Sequence, residues 1–129
     1  MASPEAWLRV AIEEAADCPA YPLVAPETLA PPYVVFSRTG TARERDLDGA
    51  VGAPVGTFAV EIYADGYADC KALADLVRSA VNDFSGEAEG STIDDVELTE
   101  EADGDPVLFD GRERPTYVVS QTYAIRWQE

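Results

Sequence analysis

The chain has 129 residues, of which 47% are apolar, and a formal charge of −16 at pH 7. That length and apolar content suit one domain, residues 1–129, with a sizeable core, and exclude a disordered polymer. The charge disfavours a surface for nucleic acid or anionic membrane, and no apolar run approaches the ~18–20 residues that span a bilayer. The first residues, MASPEAWLRVAIEEAADC, carry acids where a secretory signal needs a basic start and an unbroken apolar stretch, so residence in the cytoplasm is expected.

Ser3 is the expected cap of a first helix, with Pro4 at its first position and Glu5 in its first turn. Trp7, Leu8, Ala11, Ile12 and Ala15 recur at helical spacing and carry that helix to about Ala16. Cys18 to Pro32 holds five prolines and is expected to be an extended connector, since proline stops helices and ladder pairing. Tyr33 to Arg38, YVVFSR, is a β-rich run.

Thr39 to Gly56 has four glycines, one proline and no sustained period, and is expected to be a long loop. Loops beyond ~12–15 residues are uncommon in compact domains and usually have a function or are disordered. Thr57 to Tyr63 alternates, with Phe58, Val60 and Ile62 on one face. Asp65 is the expected cap of a second helix, from Gly66 to Phe84, with an apolar stripe of Leu73, Leu76, Val77, Ala80, Val81 and Phe84. Asp69, Asp75, Arg78, Ser79 and Asn82 are expected to face water.

Ser85 to Ser91 is an expected turn, and Thr92 to Glu101 a weaker strand in which Ile93 is out of phase and marks a bulge. Ala102 to Pro115 is a second long connection with Asp-Gly turn signals at 103–104 and 110–111. Thr116 to Trp127 is the longest strand, its apolar face of Tyr117, Val119, Tyr123, Ile125 and Trp127 interrupted by Gln121. The fold class is therefore α+β, in the order α–β–β–α–β–β. The pattern predicts a four-stranded, mainly antiparallel sheet with helices on one face and two long inter-strand loops.

The chain contains no histidine. That excludes Ser-His and Cys-His nucleophile pairs and every histidine metal site. No Walker A, GxSxG or HExxH pattern occurs. Gly49, Gly52 and Gly56 look glycine-rich, but no GK[ST] follows. Cys18 and Cys70 have no metal-ligand spacing and read as structural thiols, Cys70 on the apolar face of the second helix. The acids from Asp94 to Asp105 match no calcium-loop pattern; such runs are most often solvated faces. No catalytic residue, cofactor or metal is assigned.

Five of the nine basic residues, Arg38, Arg43, Arg45, Arg112 and Arg114, fall in or beside the two long connections. They are either ordinary turn decoration or docking groups for the acidic surface of an identical neighbour. Arginine's planar fork suits interfacial carboxylates, while surface ion pairs are often worth little.

PPYVVFSRTG, then RDLDG, then FAVEIYADGYADCKALADLVRSAV, and a closing YVVSQTYAIRW stand in that order between about Trp7 and Trp127. Together they resemble the tail completion, or tail-terminator, proteins of long-tailed bacteriophages. The resemblance implies a non-enzymatic α+β protomer that assembles into a ring, typically a hexamer. The ring would cap the tail tube and present a surface to the head connector. The implied partners are further copies, the tail tube protein and the head connector or head-completion protein. The implied location is the tail–head joint of the virion, after the host cytoplasm during assembly. Within the first long connection, Arg43, Arg45, Leu47 and Asp48 become candidate contact residues, with Arg38, Arg112 and Arg114 beside them. Other readings from the residues are a different neck component, or a cytosolic adaptor that binds a partner through the same loops.

Overall fold

A computed structural model describes residues 3–26, 30–43, 45–46, 49–50, 53–108 and 114–128, with the side chains of 45–46 and 49–50 excepted. The elements run α1 (Glu5–Ala16), β1 (Ala20–Pro22), β2 (Tyr33–Ala42), β3 (Arg45–Asp46), β4 (Gly49–Ala50), β5 (Val55–Ala64), α2 (Tyr67–Val81), β6 (Gly86–Ala88), β7 (Ser91–Asp103) and β8 (Tyr117–Gln128). The α+β class holds, but the four-stranded sheet does not. The main sheet has six strands in the order β1-β2-β5-β8-β7-β6, with β3 and β4 as a separate pair.

The four long strands β2, β5, β8 and β7 are antiparallel neighbours, as the alternation implies. The two added strands are three residues each, too short to show a period. β1 lies in the proline-rich segment expected to be an unpaired connector, and runs parallel to β2 with Ala20 opposite Val34 and Pro22 opposite Phe36. Pro22 is tolerated there because an edge strand needs donors on one side only. β6 lies in the expected turn and pairs with the start of β7. Its tight connection is Glu89-Gly90, at φ 52 and 77. Two positive φ values in a two-residue loop match the right-handed twist of the flanking strands.

The first long connection is shorter than expected. β2 continues to Ala42 and β5 starts at Val55, joined by the register Ala42 to Val55, so most of Thr39–Gly56 is a hairpin extension carrying the small β3–β4 ladder. Glycine and threonine can occupy strand ends when a long partner strand supplies the ladder. The Ile93 bulge is present as a register shift between Ile93 and Asp95, and further shifts occur at Arg38/Gly40 and Leu98/Glu100.

Both helices cover one face of the sheet. Trp7, Leu8, Ile12 and Ala16 from α1 and Cys70, Ala74, Val77 and Val81 from α2 meet Val34, Phe36, Phe58, Val60, Ile62, Val96, Val119, Tyr123, Ile125 and Trp127. The α2 stripe is rotated from the expected one. Leu76 is 51% exposed and Ala80 is exposed, while Cys70 and Ala74 are buried. Small side chains at 70 and 74 let the helix approach the strands closely, and the larger Leu76 is left outside. Neither expected side-chain cap forms: Pro4 is the N-cap of α1 and Gly66 that of α2. The end of α2 then closes part of the β7 edge, since Asp83 N donates to Val96 O at 2.9 Å and Leu98 N donates to Asn82 Oδ1 at 2.9 Å.

Candidate assembly surfaces

The candidate arginines divide into two groups. Arg38, on β2, is folded against its own chain. Its Nη2 donates to Glu5 Oε1 at 2.6 Å and its Nη1 to Thr41 Oγ1 at 3.3 Å. The guanidinium lies 4.6 Å from the Trp127 ring centroid and 5.4 Å from that of Phe58, within the range of cation–π attraction. Gly56 makes room for this stack: a Cβ there would lie 2.7 Å from Phe58 Cε1 and 3.0 Å from Trp127 Cζ3. Burial alone would raise the Glu5 carboxyl, but the Arg38 hydrogen bond, helped by Ser3, outweighs it and holds the group below its ordinary value. Arg38 therefore pins the start of α1 to the sheet.

Arg43, just beyond β2, and Arg114, just before β8, are exposed. Arg45 contributes its backbone to β3 opposite Ala50. Leu47, Asp48 and Arg112 lie outside the described residues.

Two polar clusters went unrecognised in the sequence. The first is buried. Gln121, fully enclosed, donates from Nε2 to Ala74 O at 2.9 Å and to Glu101 Oε2 at 2.6 Å, and its Oε1 accepts from Tyr123 Oη at 2.6 Å. Glu101 also faces Arg78 Nη1 at 3.6 Å, and Arg78 faces Asp75 at 3.1 Å. The break that Gln121 makes in an apolar face was the available signal: a polar residue there must be satisfied or it is costly. Burial, then the Glu101 charge, push the Tyr123 hydroxyl well above its ordinary range, which keeps it a donor.

The second cluster is exposed and ties the end of β7 to α2. Tyr67 Oη donates to Asp103 Oδ2 at 2.6 Å and Lys71 Nζ to Asp103 Oδ1 at 2.9 Å. The Tyr67 hydrogen bond, then the Lys71 one, hold the Asp103 carboxyl below its ordinary value. This anchors the start of the second long connection. That connection is narrowed again where Val107 and Thr116 exchange hydrogen bonds of 2.9 and 2.7 Å.

Both clusters tie α2 to the strands β7 and β8. Among the described residues no group of three His, Cys, Asp or Glu is placed to hold a metal ion. Cys18 and Cys70 are free and buried, and burial, first among the causes, raises both thiols. The raised values make them poor nucleophiles.

Among the described residues, Leu108 and Leu76 are exposed large apolar side chains, at 65% and 51%, and Tyr67 and Val107 are exposed to a lesser degree. Leu23 and Val24, directly after β1, are 74% and 70% exposed. A groove of about 440 Å³ runs between α1, the end of α2 and β6, lined by Trp7, Val10, Ala11, Ala15, Ala80 and Phe84 and also by the acids Glu14 and Glu89.

In solved structures, a chain from the virion of a native gene transfer agent particle aligns over 95% of this chain and 84% of its own. The TM-score is 0.65 and the identity 19%. A second solved chain aligns over 94% of both, with a TM-score of 0.50 and 17% identity. At such identities the likeness is one of fold. No curated protein matches. A family model, tail completion protein gp17, matches residues 15–126, from the end of α1 almost to the end of the strand β8. The chain belongs to the tail completion protein family that this model describes.

Proposed function

We propose that the protein is a structural component of a phage or phage-like tail, whose copies close into a ring, a hexamer, at the end of the tail tube. The ring stops tail growth and offers a surface to the head connector. The observation that carries this reading is the family match over residues 15–126. It is supported by the way the described polar clusters are used up in holding the chain together. In this reading the protein catalyses nothing and works at the tail–head joint of the virion, having been made in the host cytoplasm.

Arg43, Arg45, Leu47, Asp48, Arg112 and Arg114 are the proposed contact residues, and Arg38 supports them by fixing the β2 end from which the first excursion leaves. An acidic protein with basic excursions attracts copies of itself only where these excursions meet acids, which favours one docking register over a general aggregate. Removing the gene from a complete particle-producing cluster tests the reading. Tubes of uncontrolled length with no attached heads are expected. Normal particles from such a deletion would refute it.

A further inference from the structure

The edge strands of a sheet carry unpaired N–H and C=O groups that accept a further strand, and folded proteins usually block them. Here part of each edge is blocked. On the β1 side, Ala20 N donates to Glu13 Oε2 at 3.1 Å, Pro22 has no N–H, and Pro22 O accepts from Val24 N at 2.7 Å. On the other side β6 covers β7 over Ser91–Ile93, and the end of α2 then takes Val96 O and Leu98 N.

Two stretches lack such cover among the described residues. β1 pairs with β2 only over Val34–Phe36, so β2 runs on to Ala42 with β5 on one side alone. β7 likewise runs on to Asp103 with β8 alone. Backbone groups alternate between the two sides of a strand, and each bulge shifts the phase by one residue. Val34 N and Phe36 O face β1, so beyond the Arg38/Gly40 shift Thr41 and Arg43 present their groups outward. Val96 and Leu98 face outward, so beyond the Leu98/Glu100 shift Glu101 and Asp103 do the same. Gly104 N, the next along, donates inward to Val118 O at 2.8 Å.

The two open stretches complement each other. They lie on opposite edges and at opposite ends of the sheet, since Ala42 pairs at the start of β5 and Asp103 near the start of β8. A second copy stepped along by that offset brings its open β2 stretch beside the open β7 stretch of the first. Charge favours this pairing. Arg38–Arg43, RTGTAR, has two arginines and no acid, while Glu97–Asp103, ELTEEAD, has four acids and no base. The other described basic side chains are elsewhere: Arg9, Lys71 and Arg78 stand on helices, Arg126 on the inner strand β8 and Arg114 outside the strands. Like charges on neighbouring strands are destabilising, so two β7 edges repel one another.

We infer that Thr41–Arg43 of one copy pairs antiparallel with Glu101–Asp103 of the next, with Ala42 opposite Ala102 and Arg43 opposite Glu101, and that this strand contact is the repeating joint of the proposed ring. The inference rests on the ring reading and adds the surfaces that meet. Each copy uses one patch to dock and a different one to receive, so the contact runs head to tail and can close. In this register Gly104–Leu108 of the first copy continues beside β2 of the second toward Phe36, to which Leu23 N is bonded. The exposed Leu23, Val24, Val107 and Leu108 then gather beside the new ladder and lose water together.

The test uses the full chain. Ala42 and Ala102, both exposed, form a non-hydrogen-bonded pair across the joint, about 4.5 Å between Cα atoms, which a disulfide can span. Ala42→Cys mixed with Ala102→Cys should give a cross-linked dimer under mild oxidation, and neither variant alone should. Thr41→Pro removes an outward N–H and leaves the β5 ladder intact. Circular dichroism and thermal unfolding check that it folds, and sedimentation should show assembly at least ~10-fold weaker than wild type. If wild type forms rings, the mixture does not cross-link and Thr41→Pro assembles equally well, the inference fails and the ring reading stands. If wild type stays monomeric even with tail tubes, both fall. Cross-linking of Ala42→Cys with itself would show two β2 edges meeting and overturn the inference. So would a Thr41→Pro chain that self-assembles normally but no longer binds tubes, which would assign this edge to the tube protein.

Discussion

Gln121 under α2 and Leu23 at the β1 edge both break the ordinary rule of polar out and apolar in, and they differ in how the exception is resolved. Gln121 is a buried amide whose donors and acceptor meet Ala74, Glu101 and Tyr123 within the chain. Leu23 is an exposed aliphatic residue on a strained turn, 74% in solvent. The first exception is complete in the monomer. The second leaves its apolar side chain in solvent, held there by the turn. The contrast separates an exception that stabilises the protomer from one that contributes nothing to its core.

The largest expected effect comes from breaking the internal site. Gln121→Ala removes three hydrogen bonds and leaves a cavity with the Tyr123 hydroxyl unpaired, and should cost about 3 kcal/mol in denaturant unfolding. Tyr123→Phe removes one donor and should cost about 1–2 kcal/mol. A neutral result for both would mean that the network contributes nothing to holding α2 on the sheet.

The Arg38–Glu5 clip is next. The Glu5 carboxyl is lowered on folding from an ordinary value of 4.5. A depressed carboxylate stabilises the fold above its unfolded value, and that contribution is lost as pH falls through the lower folded value. Both side chains are partly exposed, at 24% for Arg38 and 36% for Glu5, so solvent screening limits the contribution to about 0.5–1 kcal/mol. Glu5→Gln should lower the melting temperature at neutral pH, and the gap to wild type should shrink as pH falls below the ordinary 4.5 and through the lower folded value. An unchanged gap at both pH values would remove the electrostatic explanation.

Smaller effects sharpen the Leu23 side of the comparison. Leu23→Gly should leave the monomer equally stable or more stable by up to about 1 kcal/mol, since glycine accepts positive φ without a side-chain clash. A clear loss of monomer stability would show that Leu23 packs within its own chain. Leu76→Ala, on the outer side of α2, should change stability by less than about 0.5 kcal/mol, against roughly 1–3 kcal/mol for Val77→Ala next to it in sequence but at the core. Equal costs would restore the helix face that periodicity suggested.

The long strands and both helices were legible because each exceeds one full period of its pattern. β1 and β6 were not. Ala20–Pro22 and Gly86–Ala88 are strands only because β2 and β7 offer an edge, and no local pattern records a partner's edge. The loop expected over Thr39–Gly56 is shorter in the fold for the same reason, its ends being paired by a register that only the fold supplies. Arg38 looked like one of a set of loop arginines, but sequence position could not reveal that Glu5, 33 positions away, would take it. Gln121 was visible as a break in an apolar face, and its meaning needed Ala74, Glu101 and Tyr123 in place. Leu23 and Val24 lie among prolines and read as connector, and their exposure is a property of the folded chain.

Assembly is most directly tested by the mass of the purified chain, measured by light scattering over a wide concentration range, alone and with tail tubes. A closed species of one defined mass, appearing at high concentration or on the tubes, is expected. A protein that remains monomeric under every one of these conditions would contradict the idea that its copies join into a ring.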